Sequence, residues 1–131
     1  MHKAAQIFIA FTLVVGGIGH LLPVAGVVSA QRLSSMYGVA VHGADMTLLL
    51  RHRAVLFLIV GGLALLGAWR EELRRLALVV LVLSAGSFVL LAVIEGPVNA
   101  RLVRVVRADL LMVLLGVPAL VAHWLLRSGR S

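Results

Sequence analysis

The sequence predicts an all-α integral membrane protein: a four-helix bundle with a short surface helix between the first and second spans. Three observations predict it. The chain is 62% hydrophobic and only 13% charged over 131 residues, whereas a soluble domain averages roughly half apolar and a quarter charged residues. Its mean hydropathy is +1.11. The apolar residues also gather into four runs, each near the roughly 20 residues that cross a bilayer. The length allows one domain, residues 1–131.

The first span is expected over about residues 4–22, stopping at Pro23. Its start, "MHKAAQIFIAFTLVVGGIGHLLP", has a short basic head like a signal peptide, and "VSA" at 28–30 resembles a cleavage site. The apolar stretch nevertheless outlasts an h-region of about 7–15 residues, which favours a retained span. The segment from Pro23 to Asp45 is too long for a tight turn and too apolar for a plain loop. Within it "SAQRLSSMYG" reads as a short helix lying on the membrane as a lid, with Ser29 as N-cap and Gly38 as C-cap.

The remaining spans are expected over about 46–69, 73–94 and 102–126. Short connections make neighbouring spans antiparallel. Small residues at mid-membrane (Gly16, Gly19, Gly61, Gly62, Ser84, Gly86 and Ser87) should let helices approach closely. Pro118 should kink the fourth span near Gly116.

Eleven arginines against one lysine suggest a GC-rich bacterial genome, hence a bacterial cytoplasmic (inner) membrane. The end with both termini holds six basic residues, Lys3, Arg70, Arg74, Arg75, Arg127 and Arg130, and the other end six more. Four of the latter, Arg51, Arg53, Arg104 and Arg107, lie within predicted helices. Setting those aside leaves six against two, so both termini should be cytoplasmic. Trp69 and Trp124 fit an aromatic belt at that face. The net charge of +7 is then membrane flanking charge, and no nucleic-acid partner is expected.

Cysteine is absent, which removes disulfides, thiolate metal sites and cysteine nucleophiles. No metal box appears, and the pattern names no cofactor. The polar residues are concentrated at one level of the bundle, its outer end. His20 closes span one; Arg51, His52 and Arg53 open span two; Glu95 and Asn99 follow span three; Arg101, Arg104, Arg107 and Asp109 open span four. The charge-free stretch from Ala54 to Trp69 covers only about 24 Å of helix against a hydrocarbon core of about 30 Å. Arg53 and Asp109 should therefore sit at or just inside the core boundary, where a charge is a functional candidate by default.

From these residues His52, His20 and Glu95 are candidate proton-transfer groups, with His2, His42 and His123 ranked below them. Arg51, Arg53, Asn99, Arg101, Arg104, Arg107 and Asp109 are candidate ligand-binding groups. If His52 faces the interior, Arg51 and Arg53 flank it. The excess of arginine over acid suits an anion. Arginines at span ends also snorkel to headgroups, which competes with that reading.

"GHLLP" at 19–23, "RLSSMYG" at 32–38, "LLLRHRAVLF" at 48–57 and "NARLVRVVRAD" at 99–109 resemble a family of short four-span bacterial membrane proteins of unknown function. Its members often carry the label phosphopantetheine adenylyltransferase, and the layout is more loosely similar to DoxX-like proteins. The resemblance implies fold and topology. It implies no adenylyl transfer, since such enzymes are soluble α/β proteins with a His-x-Gly-His motif. Here Gly17-Ile18-Gly19-His20 lacks the first histidine and lies in a span. Glu95-Gly96-Pro97 departs from the glycine–aromatic turn of that family.

The expected function is binding of a small amphipathic or anionic ligand, or a lipid, at the outer end, with isomerase-type catalysis by the same groups as an extension. The alternative is a non-catalytic accessory or assembly subunit, as a homo-oligomer or within a larger membrane complex. A third reading is a b-type haem protein ligated by His20 and His52.

Overall fold

The computed structural model describes residues 2–129, so Arg130 of the charge count lies outside the described residues. The chain forms α1 (His2–Leu21), α2 (Ala30–Tyr37), α3 (Gly43–Trp69), α4 (Arg74–Glu95) and α5 (Ala100–Ser128). Short 3-10 turns at Leu22–Val27 and Glu71–Leu73 link the first two and the third pair. All four long segments are long and apolar enough to cross a membrane. Their outward faces remain apolar: Phe11, Ile59, Leu83 and Leu114, for example, are all exposed. A bilayer covers such surface and water would not.

α1 packs on α3 and α5, and α4 packs on the same two helices. α1 and α4 also touch across the middle, whereas α3 and α5 do not pack on each other. The cross-section is thus a flattened diamond. Its dry core, including Ile9, Leu13, Ala64, Leu78, Leu81 and Ala119, fills the half that carries the termini. At the other end the space between α3 and α5 is covered by α2, which touches both.

Helix approach is governed by small residues, because lipid supplies no hydrophobic drive between spans. A Cβ placed on Gly61 would lie 2.9 Å from the Gly17 carbonyl oxygen, so α1 and α3 cross backbone to backbone there. Gly16 meets Leu81, and Gly116 meets Val82. Gly19 and Gly62 have nothing within 4 Å and are not packing residues, contrary to expectation; Gly17 takes that role on α1. Gly86 makes only an ordinary contact, 3.7 Å to Val113. α5 runs through Pro118 without interruption from Ala100 to Ser128.

The lid helix forms as its caps dictate. The Ser29 hydroxyl accepts from the Arg32 amide, and Gly38 ends the helix at φ 64°, a left-handed conformation. Leu33 and Tyr37, four apart on one face, are buried. The Asn99 side chain then fastens α2 to α5. Its Oδ1 caps α5 by accepting from the amides of Arg101 (2.9 Å) and Leu102 (3.0 Å). Its Nδ2 donates to the carbonyls of Tyr37 (3.0 Å) and Gly38 (3.3 Å). Arg101 donates to the Ser35 carbonyl. These are carbonyls that a helix C-terminus leaves without internal partners.

Asn99→Ala is expected to loosen the lid specifically. The lost cap costs about 1 kcal/mol, and amide exchange over residues 30–37 should accelerate while the α1–α4 crossing keeps its protection. Unchanged exchange in the lid would refute the clamp.

Candidate functional site

Arg53 organises the outer end. It lies about ten residues, or ~15 Å, below the start of α3. Its guanidinium stands 4.5 Å from the Phe88 ring centroid, 4.8 Å from Phe57 and 5.5 Å from Tyr37. A cation within about 6 Å of a ring face is attracted by the ring quadrupole. Three helices thus supply a cage for one charge: α2 brings Tyr37, α3 Phe57 and α4 Phe88. The Arg53 Nε is buried without a hydrogen-bond partner. Asp109 of α5, half-buried, is the carboxylate that feels the Arg53 charge, although the two form no ion pair. Burial pushes the Tyr37 hydroxyl above the usual tyrosine value, opposed by the Arg53 charge. The phenol therefore keeps its proton and is available as a donor at the top of the site.

His20 lies below this group and is 6% exposed. A carbonyl oxygen only accepts, so His20 Nδ1–H donates to Gly16 O at 3.0 Å. In the neutral ring Nε2 then accepts from the Ser84 hydroxyl at 3.1 Å. The ring also meets Phe57 edge-on, with centroids 5.3 Å apart. His20 ties α1 to α4 with both nitrogens engaged. This position does not fit axial ligation of a haem together with His52, because His52 is exposed on the outward face of α3.

A cavity of about 390 Å³ opens beside this constellation, between α1 and α5 beneath the lid. Val15, Leu111, Met112 and Phe57 give it apolar walls. Its polar groups are Arg104, Asp109, His20 and Tyr37. A second hollow of about 340 Å³, between α3, α4 and α5, has Arg53 at its base and Glu95 at its rim.

The structure therefore brings together His20, Arg53, Arg104 and Asp109 from the sequence candidates. Asn99 and Arg101 hold the lid. Arg51, His52, Glu95 and Arg107 are exposed and do not reach the main cavity. Tyr37, Phe57, Phe88 and Ser84 complete the site and were not among the candidates. Ser84 stood as a packing residue, and the aromatics carried no charge to draw notice. One signal was present: Phe57 lies four residues after Arg53 and four before Gly61, on one helical face.

No protein-family model, curated protein or solved structure matches this chain. Among the described residues no group of histidine and carboxylates is disposed to hold a metal ion.

Proposed function

We propose that this membrane bundle binds a small amphipathic molecule with an anionic head, or a single lipid, in the cavity between α1 and α5. The observation that carries the reading is Arg104 on the rim of a cavity whose walls are mostly apolar, with Asp109, His20 and Tyr37 as its other polar groups. The other outer arginines are committed or turned away. Arg101 holds the lid, Arg53 is caged by three aromatic rings, Arg32 is exposed on α2, and Arg51 and Arg107 face outward. Arg104 is left to meet an anion, with the tail along Val15, Leu111 and Met112. If the site also moves a proton, Asp109 and His20 line the cavity, whereas His52 and Glu95 do not.

Oleate is a suitable probe, being a single chain with one carboxylate. It should raise the melting temperature of the detergent-purified protein. Arg104→Gln should weaken it roughly tenfold or more, the value of one charged hydrogen bond. Ala108→Trp, which plugs the cavity wall, should abolish it. Equal oleate binding by wild type and both variants would sink the proposal.

The same reading places the protein in a bacterial cytoplasmic membrane with both termini inside. Arg51, Arg53, Arg104 and Arg107 lie at least a turn inside α3 and α5, whereas Lys3, Arg74, Arg75, Arg101 and Arg127 lie in the first or last turns of their helices, and counting only residues near span ends favours the end with the termini. Alkaline phosphatase fused after Ser131 should be inactive, and active when fused within residues 39–42. The reverse pattern overturns the orientation.

A further inference from the structure

The end of the bundle that carries the termini has chemistry of its own. A groove of about 600 Å³ runs there between α4 and α5. Arg75, Arg127, His123 and Trp124 line its polar part, and Val79, Leu120 and Val121 its apolar part. Among the described residues no carboxylate lines it. The nearby acids are already engaged: Glu71 pairs with Arg74 at 3.2 Å and Glu72 with Arg70 at 3.6 Å. Arg75 and Arg127 have no ion pair among the described residues. The His123 Nε2 is buried without a hydrogen-bond partner among the described residues.

Depth supports one class of occupant. Trp69, at the end of α3, is 74% exposed, and Trp124 on α5 is 67% exposed. Exposed tryptophans on a membrane bundle mark the headgroup level. Arg127 lies three residues beyond Trp124, about 4.5 Å farther out. Val121 lies the same distance inward, with its apolar side chain exposed. The groove thus passes from two arginines to apolar walls across the headgroup boundary.

We propose that this groove is a binding site for an anionic phospholipid. The phosphate would bridge Arg75 and Arg127, whose planar forks match phosphate oxygens. One acyl chain would lie along Val79, Leu120 and Val121. A zwitterionic headgroup brings a cation as well, and among the described residues the groove holds no acid to receive it. Free phosphate shares the headgroup chemistry but leaves the apolar half of the groove unfilled. The site is independent of the cavity at the opposite end.

Native mass spectrometry of the detergent-purified protein tests it, with phosphatidylglycerol, phosphatidylcholine and inorganic phosphate as probes. Wild type should retain one phosphatidylglycerol at energies that strip phosphatidylcholine. Arg75→Gln with Arg127→Gln should weaken phosphatidylglycerol roughly thirty-fold, about fivefold per arginine. Arg32→Gln with Arg51→Gln removes the same charge at the opposite end and should bind as wild type. Arg127→Gln alone should show about the fivefold loss, and serves if the double variant does not fold. Equal retention of the two lipids, or wild-type affinity in the Arg75 and Arg127 variants, overturns the site. Protection by inorganic phosphate equal to that by phosphatidylglycerol, lost in the same variants, would assign the groove to a free anion and overturn the lipid.

Discussion

Gly61→Leu is expected to prevent the bundle from assembling, whereas Gly62→Leu, one residue away, is expected to leave it intact. At Gly61 an added Cβ would lie 2.9 Å from the Gly17 carbonyl oxygen and 3.0 Å from Leu21. The first neighbour is backbone and cannot swing aside, so α1 and α3 must separate along their crossing. Overpacking a core costs about 1–3 kcal/mol even where side chains can adjust, and here the contact that fails joins two spans. At Gly62 nothing lies within 4 Å, and leucine favours a helix by up to about 1 kcal/mol over glycine. Size-exclusion profiles and melting temperatures in detergent distinguish the two. Equal behaviour of the variants would refute the crossing.

Arg53→Met should be the most damaging single change at the outer end, and Asp109→Asn should soften its effect. The arginine loses attraction to three rings, each contact contributing about 0.5–1 kcal/mol and more where water is excluded. The total is about 1.5–3 kcal/mol, and more where water is excluded. The change also leaves Asp109 at the membrane boundary without the positive charge that acts on it. In the Arg53→Met background, Asp109→Asn removes that uncompensated charge, so it should cost less there than in wild type. The expected coupling is about 0.5–3 kcal/mol. Arg53→Lys should restore little, since an ammonium cannot stack on three rings as a planar guanidinium does. Strictly additive melting shifts would show that Arg53 and Asp109 act separately.

The phase of α3 explains why His52 is exposed and Arg53 partly buried, although the two are adjacent in sequence. Because α3 is apolar nearly all round, no hydrophobic stripe marks its inner face. Only small residues are buried along it: Ala54, Gly61, Ala64, Gly67 and Ala68. Measured from Gly61 at about 100° per residue, His52 lies about 180° away, Phe57 about 40° and Arg53 about 80° on the same side as Phe57. The same measure from Gly116 on α5 puts Asp109 about 20° away and Arg107 about 180° away. The packing glycines therefore carried the orientation, and weighing them for phase would have turned His52 and Arg107 outward. They also had to be the right glycines. Gly16, Gly17 and Gly19 look alike in sequence, and only contact with Leu81 and with α3 separates the first two from the third.

The sequence by itself determined the four spans, the lid helix with Ser29 and Gly38 at its ends, and the gathering of polar residues at one end. Each depends on local chemistry: hydrophobic length against bilayer thickness, side-chain capping of free amides, and the cost of charge in hydrocarbon. Tertiary structure alone decided which of those polar residues share a site. The Arg53 cage draws its rings from α2, α3 and α4, and His20 meets Ser84 across 64 residues of chain. Rotation of each helix about its own axis selects these partners. That rotation is fixed by where neighbouring backbones can approach, a property of pairs of helices that no single segment contains.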